Sequence, residues 1–126
     1  MKYLGIDYGE KRVGIALSDS EEKIAFPKEV LFNNPNMFAK LKYLVEKEGV
    51  ARVVVGIPFS AAGKDTGQAE VSRQFSHKLQ EILGITVELE NEFLTTKIAE
   101  EHSQKDADAS AAALILQSHL DRINRK

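Results

Sequence analysis

The sequence predicts an α/β protein with one five-stranded mixed sheet, its first three strands antiparallel and its later strands joined by helical crossovers. Three observations carry this reading. Two β-rich runs at the N-terminus are separated by a glycine-led turn, and apolar residues recur at helical spacing in three later stretches. Each of the first two helical stretches is followed by a short strand-like run. With 126 residues the chain can bury one real core but not two, so a single domain over residues 1–126 is expected.

Residues 3–8 and 11–18 flank Gly9-Glu10, a glycine-first pair that suits a two-residue hairpin turn. A polar stretch from Asp19 to Lys23 leads to a third strand, Ile24 to Phe32, which Pro27 assigns to a sheet edge because proline cannot donate to a ladder. Met37, Phe38, Leu41, Leu44 and Val45 mark a first helix, stopped by Gly49. Val53-Val54-Val55 shows no alternation, as expected of a strand covered on both faces, and Gly56-Ile57-Pro58 should break it. Asp65 with Gln68 resembles a capping box, and Val71, Phe75, Leu79, Ile82 and Leu83 form the stripe of a second helix ending at Gly84. Ile85, Val87 and Leu89 alternate with Thr86, Glu88 and Glu90, the period of a half-buried strand that ends near Asn91. A short helix around Thr95 to His102 and a last one from about Asp108 follow, the latter turning Ala112, Ile115, Leu116, Leu120 and Ile123 inward. The order β-β-β-α-β-α-β-α-α implies right-handed crossovers in the second half of the sheet.

Lysine and arginine total 17 against 19 acids, a net charge of −2, so no overall basic field announces a nucleic-acid partner. Acids gathered at a metal site can still coexist with local basic patches, because bound cations reverse the local sign. The absence of cysteine excludes disulfides and thiolate metal sites, leaving oxygen or histidine as ligands. His77, His102 and His119 share no metal-binding spacing and are expected to be exposed. No apolar run approaches the ~20 residues of a membrane span, and the N-terminus lacks a signal-peptide apolar region, which points to a cytoplasmic protein without a membrane partner.

In mixed sheets of this kind, functional groups collect where the parallel strands end and loops leave the scaffold. Asp7 closes the apolar run Leu4-Gly5-Ile6, and Glu92 follows the alternating strand. Asp108 stands near the start of the last helix, where negative charge is favoured. Each has a plain alternative on local grounds: Asp7 as a turn residue, Glu92 as a solvated loop acid, Asp106 or Asp108 as a helix cap contributing about 1 kcal/mol.

Four ordered blocks narrow these alternatives: Gly5-Ile6-Asp7-Tyr8-Gly9-x-Lys11-Arg12-Val13-Gly14-Ile15-Ala16, Val54-Val55-Gly56-Ile57-Pro58, Glu92-x-Leu94-Thr95-Thr96 and Asp108-Ala109-Ser110-Ala111-Ala112. Together they resemble the YqgF family, also called RuvX, described as proposed pre-16S rRNA nucleases and, earlier, as proposed Holliday junction resolvases. The resemblance implies a three-layer RNase-H-like fold, with Asp7, Glu92 and Asp108 as the catalytic acids of a metal-dependent nuclease. Those acids would hold Mg2+ or Mn2+, both of which prefer oxygen ligands. Two such ions roughly 3.5–4 Å apart can stabilise the attacking and leaving oxygens of a phosphodiester together. On this reading Asp7 bridges both ions, while Glu92 and Asp108 each complete one side.

The substrate-binding candidates are Lys11 and Arg12 after the hairpin turn, Ser60 and Lys64 in the small-residue loop, Arg73 on the next helix, and Phe93. The family usually has Asp-Glu-Arg where this chain has Asn91-Glu92-Phe93, so a phosphate contact is replaced by a ring able to pack or to stack on a base. Only eleven residues separate Thr96 from Asp108, fewer than in many relatives. The expected partner is nucleic acid, with precursor rRNA favoured, branched DNA as the alternative and ribosomal particles a further candidate. A monomer or weak dimer is expected; junction resolution would need a twofold dimer. Two other readings are a non-catalytic RNA- or ribosome-binding module and an ATP-binding domain. The second arises because Ile6-Asp7-Tyr8-Gly9 also resembles the phosphate loop of actin-like and sugar-kinase ATPases, which clamp nucleotide between two such domains.

Overall fold

A computed structural model of the chain describes residues 1–57, 67–91 and 107–124, with side chains excepted at 68 and 107–110. Its elements are β1 (Lys2–Tyr8), β2 (Arg12–Ser18), β3 (Ala25–Phe32), α1 (Asn36–Glu48), β4 (Val50–Ile57), α2 (Gly67–Leu83), β5 (Thr86–Asn91) and α3 (Ala107–Ile123). The strands form one sheet in the order β3-β2-β1-β4-β5. β1 pairs antiparallel with β2 and parallel with β4, β2 pairs antiparallel with β3, and β4 pairs parallel with β5. The expected five-stranded mixed sheet is therefore present. The helix expected around Thr95 to His102 lies outside the described residues.

Two cores cover the two faces of the sheet. On one, Leu4, Ile6, Val13, Ile15, Leu31, Val53 and Val55 meet Met37, Leu41, Leu44 and Val45 of α1 and Phe75 and Leu79 of α2. On the other, Tyr3, Ala16 and Val54 meet Ala112, Ile115, Leu116 and Leu120 of α3. Val53, Val54 and Val55 thus face opposite layers by turns, which is why β4 reads as a continuous apolar run. The layers are helix, sheet, helix.

Local chemistry accounts for several boundaries. α1 ends because Gly49 takes a left-handed backbone (φ 67°) and returns its N–H to the Val45 carbonyl. Gly84 does the same for α2 at φ 69°, donating to the Gln80 carbonyl at 2.9 Å. β3 is an edge strand, and Pro27 stands opposite Ala16 beside a register shift, where its missing N–H removes no regular ladder bond.

The structure corrects four local expectations. Gly9 and Glu10 do not form a two-residue turn: β1 ends at Tyr8 and β2 begins at Arg12. A glycine-first two-residue turn needs a positive φ at its glycine, and among the described residues only Gly49 and Gly84 are glycines of that kind. Gly9 is required for another reason, since a Cβ there would lie 2.4 Å from the Arg12 carbonyl oxygen. Gly56 and Ile57 do not break β4 but continue it, paired with Glu90 and Asn91. Val71, assigned to the inner stripe of α2, is exposed, and Ser72 and Ser76 are buried instead. On β5 it is Leu89 that is exposed and Glu90 that is buried, because the strand lies at the sheet edge with its charged face under α3.

Candidate active site

Three parallel strands, β1, β4 and β5, end on the same side of the molecule. The register runs Ile6 to Val55 and Val55 to Leu89, with Ile57 opposite Asn91. Asp7, one residue beyond Ile6, therefore stands at the carboxyl end of the central strand, half-buried and paired across to Gly14. Glu92 follows Asn91 directly in sequence and lies outside the described residues, as do Ser60, Lys64 and Phe93.

The path of α3 decides what can face Asp7. The Tyr3 ring lies 5.8 Å from that of His119. Farther along β1, a Cβ on Gly5 would come within 2.7 Å of Leu116 Cβ and 3.0 Å of the Ala112 carbonyl. Residue numbers rise along β1 as they fall along α3, so the helix crosses the strand in the opposite sense. Gly5 lets it come close. Side chains alternate along a strand, so Tyr3, Gly5 and Asp7 share the face beneath α3. Asp108 precedes Ala112 by one helical turn, about 5.4 Å of rise, while Asp7 follows Gly5 by about 6.6 Å of strand. The first turn of α3, to which the Asp108 backbone belongs, is thus level with the end of β1.

The loop after β1 is held from the side. Asn33, just past β3, donates its side-chain amide to the Gly9 carbonyl at 2.8 Å, and its backbone N–H to the Lys11 carbonyl at 2.9 Å. Lys11 and Arg12 are exposed at this end of the sheet. Asn33 escaped the sequence reading, although an asparagine directly after a strand is a recognisable turn signal. Arg73 sits on α2, in the layer opposite α3, with its guanidinium 3.7 Å from Glu70.

A charged cluster fastens the other end of α3. His119 is 3% exposed and Glu90 8%, so the expected exposure of His119 is wrong. Arg122 approaches His119 Nδ1 at 3.1 Å and Glu90 at 2.8 Å. Glu90 Oε1 also lies 3.3 Å from Nδ1, so a donor and an acceptor both face that nitrogen and its tautomer decides which of them it bonds. Nε2 lies 2.7 Å from Glu88 without hydrogen-bond alignment. Arg52 holds Glu88 from the neighbouring strand at 2.8 Å. Burial, and then the nearby Glu22 carboxylate, push the Tyr3 hydroxyl above the ordinary phenol value on the same face. His77, by contrast, is exposed as expected and meets Glu81 at 3.1 Å.

Comparison with known proteins gives this arrangement a lineage. The family model RuvX, described as Holliday junction resolvase, matches residues 1–122. The chain belongs to the RuvX family. Among its relatives is a Chloroflexus aurantiacus protein 36% identical over 94% of this chain and 85% of its own length, named a proposed pre-16S rRNA nuclease. Proteins of the same name from Maridesulfovibrio salexigens (34% identical, covering 97% and 99%) and Nitratidesulfovibrio vulgaris (38%, covering 96% and 94%) are also similar. In architecture this RuvX-family chain resembles Thermus thermophilus RuvC in complex with a Holliday junction substrate, at a TM-score of 0.63 and 16% identity over 98% of this chain and 96% of that one. The fold is thus RNase-H-like, as the motif resemblance implied.

Proposed function

We propose that the chain, acting as one domain over residues 1–126, is a metal-dependent endonuclease that hydrolyses phosphodiester bonds, in the 5'-end processing of precursor 16S rRNA. The observation that carries the reading is Asp7 at the carboxyl end of the central strand, level with the first turn of α3 and on the side where β5 leads into Glu92. The shared names of the relatives direct it to precursor rRNA. The donor set fits a hard cation: Asp7, Glu92 and Asp108 offer only carboxylate oxygens, and the chain has no cysteine to favour a softer metal. Two Mg2+ or Mn2+ ions held there would supply Lewis-acid stabilisation of the phosphoryl oxygens.

The protein's own contribution is positional. Asp7 is fixed by strand pairing on a rigid sheet, while the exposed Lys11 of the adjoining loop and Arg12 at the start of β2 would contact backbone phosphate. Ser60 and Lys64, Arg73 and the ring of Phe93 are the further substrate contacts of this reading. Among the described residues no helix is long and apolar enough to cross a membrane, in keeping with work in the cytoplasm, where precursor rRNA is made. Four-way DNA is the second substrate, favoured by the family's description as a resolvase.

The test compares the parent with Asp7→Asn on a pre-16S rRNA fragment, single-stranded RNA and a four-way DNA junction, with Mg2+ or Mn2+. The variant keeps shape but loses ionised oxygen, so cleavage should vanish while the fold persists. Metal should raise the Tm of the parent, by binding the folded state alone, and not that of the variant. Native cleavage by Asp7→Asn, or an equal response of both Tm values to metal, would leave Asp7 as a strand residue of β1 with no part in a metal site.

A further inference from the structure

On the other face of the sheet from Asp7, a cleft of about 580 Å³ opens between the end of β1, the start of α1 and the face of α2. That volume lies within the range of small-molecule sites, roughly 300–1,000 Å³. Its wall is aromatic, with the half-buried rings of Tyr8 and Phe38 at its surface and the buried Phe75 behind them. Tyr8 stacks on Phe75 at 4.1 Å between ring centroids and 24° between planes, and Phe38 leans on Phe75 at 5.9 Å. Around this wall stand the amide of Gln74, that of Asn34, whose oxygen accepts the Asn36 N–H at 3.0 Å and whose NH2 group remains to donate, and the ammonium of Lys78, 4.9 Å from the Phe38 centroid. Among the described lining residues Lys78 is the sole charged group and no carboxylate is present, in a chain whose net charge is −2.

We propose that this cleft is a base-binding subsite that takes one unstacked nucleobase of the substrate strand next to the cleaved phosphodiester. The proposal rests on the nuclease reading above. Flat aromatic walls, amides that both donate and accept, and a lone cation are the groups that hold a splayed base by its face and edge and its phosphate by charge. Its place joins it to the candidate active site. Tyr8 follows Asp7 in sequence, so strand alternation points the two side chains to opposite faces at the same end of β1. Asn33, which lines the cleft, also bonds the loop carrying Lys11. A strand passing over this end of the sheet would leave its phosphate at Asp7 and its neighbouring base in the cleft. The recognised base would then help to set where the cut falls.

Binding is tested in metal-free buffer by amide NMR of the full chain with the four nucleoside monophosphates, with ribose 5-phosphate and inorganic phosphate as controls. Saturable shifts confined to Asn34, Phe38, Phe75 and their neighbours are expected with the nucleotides, at about tenfold tighter affinity than with ribose 5-phosphate. Val71→Trp, at an exposed position on the rim, should fill the cleft and abolish the shifts. Gln74→Ala and Lys78→Ala, also at exposed positions, should weaken them. On a cleaved substrate each variant should raise KM by about tenfold or less with kcat retained. Equal shifts with ribose 5-phosphate, or none with any nucleotide, overturn the proposal. So does nucleotide binding that Val71→Trp removes without changing cleavage, since the cleft would then serve a free nucleotide. Because Asp7→Asn should still bind the nucleotides, failure of the nuclease reading is distinguishable from failure of the cleft.

Discussion

Replacing Gly5 with alanine tests whether the approach of α3 to β1 sets up the candidate site. The new Cβ would lie 2.7 Å from Leu116 Cβ and 3.0 Å from the Ala112 carbonyl oxygen. Carbon atoms in good contact stand about 3.5–4.0 Å apart, so helix and strand must separate by roughly 1 Å. Both neighbours belong to a fully buried stretch of helix backbone or to its first side-chain atom, so no rotamer change relieves the clash. Overpacking of this kind costs about 1–3 kcal/mol, equivalent to a Tm lower by roughly 4–12 °C in a domain of this size. Asp108 is one turn from Ala112, so the same displacement would misplace it relative to Asp7 and lower kcat/KM by on the order of 100-fold. Gly49→Ala is the control: it meets no atom within 4 Å, yet its φ of +67° is strained for alanine, at about 1 kcal/mol. It should lose stability and keep its activity. Urea unfolding and cleavage kinetics on the three proteins decide the matter. A Gly5→Ala protein within roughly 0.5 kcal/mol of the parent, or an equal loss of activity in Gly49→Ala, would mean that the close approach at Gly5 does not set the site.

His119→Ala should destabilise the fold by about 2–4 kcal/mol, because it removes a buried ring that packs on Tyr3 and stands between the carboxylates of Glu88 and Glu90; a urea midpoint shift at unchanged m-value checks it. Asp19 is held below the ordinary carboxylate range by the backbone N–H groups of Ile24 and Lys23. A depressed folded value means that its stabilisation is present above the unfolded value and lost as pH falls through the folded one. Asp19→Ala should therefore flatten the acid limb of the stability curve as pH falls through and below the ordinary carboxylate range, read from urea midpoints, and an unchanged limb would count against the bonds. Nucleic-acid binding should weaken with salt along a shallow slope, given the net charge of −2; a log–log slope near −9, corresponding to about ten phosphate contacts, would contradict this.

Much of the layout was legible because local rules and global packing agree. Gly49 and Gly84 end helices where the apolar stripe stops, and Pro27 marks the one sheet edge among β1–β3. Asp7 was legible as the last polar residue of a buried run, and the parallel register of β4 and β5 bears out that their ends share a side with it. The faces of β5 and the inner face of α2 were read wrongly for a common reason. Each depends on what lies on the far side of the element. Periodicity reports that a strand has two faces and cannot say which of them a helix from distant sequence will cover.

The class of fold, the order of the described elements and the kinship with the RuvX family could be read along the chain, because they follow from periodicity, turn chemistry and ordered motifs. Packing in three dimensions was needed to see that α3 crosses β1 against the bare backbone of Gly5, and that Glu88 and Glu90 turn to His119 and Arg122 instead of facing water. It alone brought Tyr8, Phe38 and Phe75 into one aromatic wall. The physical reason is separation along the chain: Gly5 and Leu116, or Glu90 and His119, interact through contacts that no local pattern encodes.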